Sequence, residues 1–172
     1  LSIANLINEL GCKVTVIPSF SSIEEIKKYK FDMLLLSNGP GNPEMATNAI
    51  NIAKEFIGKM PITGICLGHQ IISIALGGKA YKLKYGHRGS NHPVKYMATN
   101  KVFISTQNHG YAIDYKSLPK DVEVTHINLH DQTVEGIRVL KDKIYCVQYH
   151  PEASPGPEDS HNILNDFISL IG

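Results

Sequence analysis

A cysteine between two glycines, at residues 64–68, is the feature that most constrains how this chain folds. The short apolar segment 61–63 precedes it, and a helix-like run at 69–76 follows it. Glycines on both sides permit a sharp turn from strand to helix, and the N-terminus of the helix favours a thiolate at Cys66. The motif therefore predicts a nucleophile displayed between a strand and a helix. A buried core cysteine is the alternative interpretation of this motif alone.

The first half of the chain alternates between helix-like and strand-like segments. Apolar residues at helical spacing predict helices at 1–10 and 43–57, and Ser22 with Glu25 forms a capping-box pattern before a short helix at 26–29. Segments 12–17 and 32–36 have the pattern of strands. This order predicts a mainly parallel sheet with helices on both faces and a ligand site at the carboxyl ends of its strands.

The second half changes to a series of strand-like segments. They are predicted at 79–85, 94–97, 101–106, 122–129, 134–139 and 144–148, before a last helix at about 160–171. Asp131 and Gln132 predict a hairpin turn between two of these strands. A chain of 172 residues with 42% hydrophobic residues fits one domain, and no linker or repeat interrupts it. The predicted fold class is α/β, with an open, mixed and mainly parallel sheet.

Charge and cysteine content exclude several classes of protein. Seventeen Lys and Arg residues against 16 Asp and Glu give a net charge of +1 without a basic cluster, so no nucleic-acid partner is expected. No apolar run approaches the roughly 20 residues of a membrane helix, and no secretion signal opens the chain. Cys12, Cys66 and Cys146 are odd in number and widely spaced, which predicts free thiols in a cytoplasmic protein.

His150 and Glu152 are the candidate base and its orienting acid. Both follow the strand-like segment 145–149, which predicts that they lie at the same edge of the sheet as Cys66. In an extended segment residues i and i+2 project to one side, and Pro151 stiffens the backbone between them. Glu152 is therefore expected to hold the His150 ring in one tautomer. A surface loop with unrelated polar residues is the alternative.

Three segments resemble the class I, or triad, glutamine amidotransferase family in order and spacing: residues 36–43, 64–70 and 150–152. Residues 86–94, 106–112 and 151–157 are similar, more narrowly, to the family's carbamoyl phosphate synthetase small subunits. The resemblance implies the flavodoxin-like fold of this family, with its first strand absent from the chain. Residues 1–172 would then form a single glutaminase domain, expected as the C-terminal part of a longer small subunit.

The resemblance also implies a reaction. Cys66 would attack the side-chain carboxamide of glutamine and form a thioester, with ammonia leaving after His150 donates a proton. Glu152 would complete the triad. The backbone amides of Gly41 and Leu67 match the positions that hold the oxyanion in the family, an interaction whose loss typically costs about 3 kcal/mol of barrier. A plain tight turn is the alternative interpretation of the segment around Gly41.

By the same resemblance, the glutamine substrate is bound by five further residues: Gly39, Gln70, Asn108, Gly110 and Tyr111. The family uses an additional serine upstream of Leu1. The implied partner is the large subunit of the synthetase, which would use ATP, magnesium and bicarbonate to make carbamoyl phosphate for arginine or pyrimidine synthesis. No metal or organic cofactor is expected in this chain. Two alternatives remain: the glutaminase of another amidotransferase, such as anthranilate synthase, or a catalytically silent domain that docks a partner.

The remaining histidines and cysteines are expected to be structural. His87 and His92 have an H-x4-H spacing and His69 follows Cys66, but they fall in different predicted elements, so no metal site is expected. The resemblance assigns His87 and His92 to a structural loop. His69 is predicted to be buried and hydrogen-bonded within its helix, and Cys12 and Cys146 to be small core residues.

Overall fold

The computed structural model describes residues 2–153 and 162–172. Its strands are β1 (Leu34–Leu36), β2 (Ile62–Ile65), β3 (Ala80–Tyr96), β4 (Val102–Ile113), β5 (Glu123–Asn128), β6 (Val134–Val139) and β7 (Ile144–Val147). Its helices are α1 (Ser2–Glu9), α2 (Ile23–Lys27), α3 (Thr47–Phe56), α4 (Leu67–Ala75) and α5 (Asn162–Ser169). No helix within these ranges is both long enough and apolar enough to cross a membrane.

The seven strands form one open sheet in the order β1-β2-β7-β6-β5-β3-β4. Pairing is parallel from β1 to β2 and from β2 to β7, and it is antiparallel between all later neighbours. The predicted mixed α/β sheet is confirmed, but the expectation that it is mainly parallel is wrong, because two of the six described strand pairings are parallel and four are antiparallel. The parallel part carries the strand-to-helix turn at Cys66. The carboxyl ends of β1, β2 and β7 consequently meet at one edge.

Apolar side chains on both faces of the sheet hold the helices in place. One core cluster joins α2 and α3 to the sheet: Ile26, Ile52, Phe56, Ile62 and Ile144. The cluster on the other face joins α1 and α5 to it: Ile7, Leu164, Phe167, Ile65 and Val147. Alternate residues of β2 and β7 enter opposite clusters, as a strand covered on both faces requires.

Local sequence signals explain how several helices begin. Ser22 accepts a hydrogen bond from the Glu25 backbone N–H, and the Glu25 carboxylate accepts one from Ser22 N–H, so the predicted capping box starts α2. The helix predicted at 43–57 is divided into a short 3₁₀ turn, Pro43–Met45, and α3. Asn42 caps that turn by accepting from Glu44 N–H at 3.0 Å.

The strand predicted at residues 12–17 is not formed, which corrects that prediction. Cys12 and Val14 do pack against the second core cluster, whereas Lys13 and Thr15 are exposed. A strand also needs a neighbour to accept and donate its backbone hydrogen bonds, and no described strand pairs with this segment. The alternation at 12–15 therefore follows side-chain packing and not sheet pairing, and it fails at Val16, which is 71% exposed.

The loop predicted at His87 and His92 is part of β3, and the strand predicted at 101–106 continues through 106–112 as β4, which corrects a second group of predictions. These long strands pair with two irregularities in register, between Lys82 and His87 and between Gly89 and His92. Gly86 and Gly89, with φ of +69° and +133°, provide the bends. The glycine-containing segment that has the sequence pattern of a loop is therefore a strand with bulges. Residues 154–161, where the last predicted helix begins and part of segment 151–157 falls, lie outside the described residues.

Candidate active site

Cys66 occupies a strained turn between β2 and α4. Its φ of 53° and ψ of −105° lie where residues with side chains are rarely found, and its N–H donates to the Val147 carbonyl at 2.9 Å. The neighbouring glycines make the turn possible because they let other backbone segments approach closely. A Cβ on Gly64 would lie 2.6 Å from the Gly68 carbonyl carbon, and one on Gly68 would collide with the Leu36 carbonyl. Cys66 is 3% exposed, but its sulfur borders a cavity.

His150 is held beside Cys66 from two sides. Its backbone N–H donates to the Thr106 carbonyl at 2.9 Å, and its ring Nδ1 lies 2.8 Å from Glu152 Oε1. A carboxylate accepts from Nδ1–H, so Glu152 fixes the orientation of the ring, as the i, i+2 spacing predicts. His150 Nε2 is buried and has no hydrogen-bond partner among the residues that the structure describes. That nitrogen is therefore available for proton transfer in the cavity.

The charge of His150 is set by opposing effects. Burial alone would lower the pKa of His150, but the adjacent Cys66 and Glu152 outweigh burial and raise the pKa to about 10. His150 is consequently an imidazolium at neutral pH. A charged ring beside a cysteine sulfur places a proton donor next to a potential nucleophile.

A cavity of about 430 Å³ brings most of the predicted site residues together at the carboxyl ends of the parallel strands. The predicted residues that line it are Gly39, Gly41, Cys66, Gln70, Asn108, Gly110, Tyr111 and His150. Two predicted residues do not line it. Glu152 is bonded to His150, and Leu67 packs against Gly39, where an added Cβ would lie 2.9 Å from Leu67 Cδ2. Leu67 is also the first residue of α4, so its N–H has no intrahelical acceptor.

Gln70 is buried at the base of the cavity, and its amide nitrogen is already engaged. Nε2 donates to the Tyr111 carbonyl and to Gln148 Oε1, both at 2.9 Å. Only the amide oxygen of Gln70 remains for contact with a ligand. An amide oxygen accepts hydrogen bonds, for example from an ammonium group. On the other wall, the Asn108 carbonyl lies 3.9 Å from the Cys66 sulfur. Substrate contacts by these residues stay a prediction.

Behind the cavity, buried histidines form a hydrogen-bonded cluster. His87 reaches Gln107 Oε1 through Nδ1 and Asp131 Oδ2 through Nε2, both at 2.8 Å. Burial lowers the pKa of His87, but Glu135 and Asp131 raise it to about 9, so the ring is charged. His109 lies between the Gln107 amide and the Tyr111 carbonyl, at 2.9 and 2.7 Å, and burial lowers its pKa to about 3.

This cluster contains the one group of candidate metal ligands found in the described ranges. Ligand atoms of His87, His109 and Glu135 lie within 4.8 Å of one another. The ring nitrogens of His87 and His109 lie 2.8 and 2.9 Å from Gln107 Oε1, so both are within hydrogen-bond distance of this amide oxygen. The arrangement therefore supports β4 through hydrogen bonds.

Several residues differ from the expectations for them. His69 is buried as predicted, but neither ring nitrogen has a hydrogen-bond partner within the described part of the chain, and desolvation lowers its pKa to about 3. Cys146 is a core residue, whereas Cys12 is half-buried. Four cavity-lining residues are not among the individual residues predicted to form the site: Asn38, Pro40, Arg88 and His109. All four lie inside segments that carry the family resemblance, which was the available signal.

Comparisons with known proteins find related sequences for almost the whole chain. Residues 1–170 match the family model described as class-I glutamine amidotransferase. Curated relatives named carbamoyl phosphate synthase small chain are 54% identical in Aquifex aeolicus and 51% identical in Methanococcus maripaludis, covering 93% and 98% of this chain. A relative of the same name from Bacillus cereus is 50% identical over 96% of it. The chain spans about half the length of these relatives, between 43% and 48%.

Solved structures support the fold. A protein described as a putative GMP synthase subunit, from Thermoplasma acidophilum, superimposes with a TM-score of 0.84 over 99% of this chain and 86% of its own, at 24% identity. A glutamine amidotransferase from Thermotoga maritima gives a TM-score of 0.70 over 98% of this chain and 89% of its own, at 17% identity. At these identities the likeness concerns the arrangement of strands and helices alone.

Proposed function

Because the chain belongs to the class I glutamine amidotransferase family, we propose that it is the glutaminase domain of a carbamoyl phosphate synthetase small subunit. In this proposal it hydrolyses glutamine to glutamate and ammonia, and the ammonia passes to a large subunit in a cytoplasmic heterodimer. The names of relatives at about 50% identity support the choice of synthetase. The triad-like geometry supports the glutaminase reaction.

The single observation that carries the proposal is the arrangement of Cys66, His150 and Glu152. Cys66 lies on a strained turn, His150 borders the same cavity, and Glu152 is 2.8 Å from the far nitrogen of the His150 ring. A nucleophile, a proton carrier and an orienting carboxylate in this order are what acyl transfer through a covalent intermediate requires. The alternative interpretations, a surface loop around His150 and a core cysteine at position 66, do not require any of these contacts.

In the acylation step, the Cys66 sulfur attacks the carboxamide carbon of glutamine and its electron pair forms the C–S bond. The carbonyl electron pair moves to oxygen and gives a tetrahedral oxyanion. When the oxyanion collapses, the C–N bond breaks and His150 gives its Nε2 proton to the departing nitrogen. Ammonia leaves and a glutamyl thioester remains on Cys66.

In the deacylation step, water attacks the thioester carbon while the now neutral His150 takes the water's proton at Nε2. Collapse of the second oxyanion breaks the C–S bond, releases glutamate and restores the thiolate beside the imidazolium. We assign both oxyanions to the backbone N–H groups of Gly41 and Leu67. The free N–H at the start of α4 supports that assignment for Leu67, because it has no intrahelical acceptor.

The substrate is bound, in this proposal, along the wall formed by Gly39, Asn108, Gly110 and Tyr111, with the Gln70 amide oxygen accepting from the α-ammonium group. No metal or organic cofactor takes part in the thioester chemistry of this chain. ATP, magnesium and bicarbonate are assigned to the large subunit, where ammonia becomes part of carbamoyl phosphate.

Glutamate release tests the proposed reaction. The complete natural protein that contains these residues is assayed with glutamine, next to its Cys66→Ser variant and the control Cys12→Ser, which changes a half-buried cysteine outside the cavity. We expect release by the wild type and the control, and loss of it in Cys66→Ser. An electrophilic glutamine analogue should label Cys66 and no other residue. Equal, negligible release by all three proteins, or labelling elsewhere, contradicts the glutaminase reaction.

A second assay tests the partner. Mixing with a carbamoyl phosphate synthetase large subunit, ATP, magnesium and bicarbonate should give carbamoyl phosphate with glutamine as the nitrogen source. The Cys66→Ser variant should support the reaction with ammonium chloride only. Glutamate release without any glutamine-dependent carbamoyl phosphate would instead identify the glutaminase of a different amidotransferase.

A further inference from the structure

Arg88 is the one permanent charge in the lining of the active-site cavity. Among the described residues that border the cavity there is no other Lys or Arg, and there is no Asp or Glu. The reacting end of the substrate is placed by Cys66 and His150. The α-carboxylate at the opposite end of an amino acid needs a cation or several N–H groups, and Arg88 supplies both.

The backbone directs Arg88 to the same side of the sheet as a substrate-binding residue. Arg88 pairs directly with Asn108 across β3 and β4, so their side chains are neighbours on one face. The adjacent pair, His87 and His109, belongs to the buried histidine cluster, although His109 also borders the cavity. Irregularities in register flank this short paired stretch on both sides, and such bulges commonly redirect a side chain next to an active site.

Arg88 is an exposed residue that borders the cavity, and its guanidinium makes one hydrogen bond to a described residue. Its Nη1 donates to the Tyr85 carbonyl at 2.8 Å. Gly86 makes room for this conformation, since a Cβ there would lie 2.9 Å from Arg88 Nη1, and its φ is +69°. The other end of the guanidinium reaches Gly110: its Nη2 is the heavy atom nearest to where a Cβ on Gly110 would be, at 4.0 Å.

Most of the hydrogen-bonding capacity of Arg88 is unused. Apart from the bond to Tyr85, its five N–H groups make no hydrogen bond with a described residue, and no described carboxylate lies within ion-pair distance. Every other charged residue that faces the cavity has its partner: His150 is bonded to Glu152. An anchored guanidinium with free donors suits a planar carboxylate.

We propose that Arg88 binds the α-carboxylate of the substrate and thereby selects amino acids with a free α-carboxylate. This inference rests on the proposed glutaminase function and adds a specificity residue to it. The substrate class is then an L-α-amino acid whose side chain ends in a carboxamide, and peptides or amides that block the α-carboxylate are poor substrates.

The test compares two substrates and two arginine variants in the complete natural protein. Arg88→Gln should raise KM for glutamine about tenfold, as expected for the loss of one charge-assisted hydrogen bond to bound substrate, and leave kcat within about twofold. With glutaminamide, whose α-carboxylate is an amide, the same variant should show an unchanged KM. Arg88→Lys should fall between wild type and Arg88→Gln for glutamine, because it keeps the charge and loses the paired N–H groups.

Lys84→Gln is the matched control. It removes the same charge from β3, where Lys84 Nζ lies over the Tyr85 ring at 5.1 Å and does not line the cavity. We expect no change in KM. Cys66 labelling gives a second readout: Arg88→Gln should slow labelling by a carboxylate-bearing glutamine analogue about tenfold and leave labelling by chloroacetamide unchanged.

Three outcomes overturn the inference. They are an unchanged KM for glutamine in Arg88→Gln, an equal loss with both substrates, and a loss seen only when a large subunit is present, which would place Arg88 at an interface. These outcomes differ from failure of the proposed function, in which wild-type protein releases no glutamate and the analogue does not label Cys66.

Discussion

Replacing Glu152 with glutamine should lower the proton affinity of His150 by a predictable amount. The pKa of His150 is raised from 6.5 to about 10, which at about 1.4 kcal/mol per pH unit is a preference of about 5 kcal/mol for the imidazolium. Cys66 contributes the larger favourable part and Glu152 the smaller. We therefore expect Glu152→Gln to remove about 2 kcal/mol, which corresponds to a pKa of about 8.5 and about a 30-fold loss of kcat for glutamine hydrolysis.

An NMR titration of the histidine ring signals measures this pKa directly, with His150→Asn used to assign the signal. The control is Glu123→Gln, which removes an exposed carboxylate paired with Arg138 at 2.9 Å and is not among the cavity-lining residues. Its titration should match that of wild type. The reasoning is refuted if wild-type His150 titrates near 6.5, or if Glu152→Gln titrates where the wild type does. Thermal unfolding of each variant shows whether the fold is retained.

Two further predictions concern stability. Gly68→Ala should lower the free energy of unfolding by more than about 3 kcal/mol, since its Cβ would collide with the Leu36 carbonyl; Gly11→Ala, with φ of +89° and open space around it, should cost only about 1 kcal/mol. Urea titrations would measure both, and similar losses for the two would contradict the packing argument. Stability should also peak near pH 6.5. Buried neutral histidines such as His69, with a pKa of about 3, bind protons only on unfolding, so stability falls as the pH drops below 6.5. His87, with a pKa of about 9, loses its stabilising proton as the pH rises from 6.5 through 9. Urea midpoints at pH 5, 6.5 and 9 test both limbs, and a midpoint highest at pH 9 would exclude a charged His87.

The sequence predicted the parallel half of the sheet well because each element there is decided by neighbouring residues. The capping box at Ser22 and the turn around Cys66 are local patterns, and both are confirmed as structures. Segment 12–17 was predicted wrongly for a physical reason. Alternation indicates at most which side chains pack inward, whereas strand formation also needs a partner, and the described residues provide none for this segment.

The antiparallel half was harder because bulges and long-range contacts decide it. Glycines at 86 and 89 indicate loops in sequence, but they are bends within a 17-residue strand. His87 is charged because of Asp131 and Glu135, which are more than 40 residues away in sequence. The periodicity of apolar residues does not predict contacts between residues so far apart. His150 and Glu152 were accessible to sequence reasoning because their spacing and their strand place them together without any distant residue.

The backbone at Cys66 has a consequence for the way this domain evolves. A residue with a side chain at φ of 53° and ψ of −105° destabilises the fold, and glycine would occupy that conformation at lower cost. Selection for activity retains the cysteine, whereas selection for stability alone would favour its replacement. In the proposed function, a lineage that no longer needs glutamine hydrolysis would accumulate a small residue at position 66, and it would gain stability as it lost activity. A thermostability screen without an activity assay would select the same change.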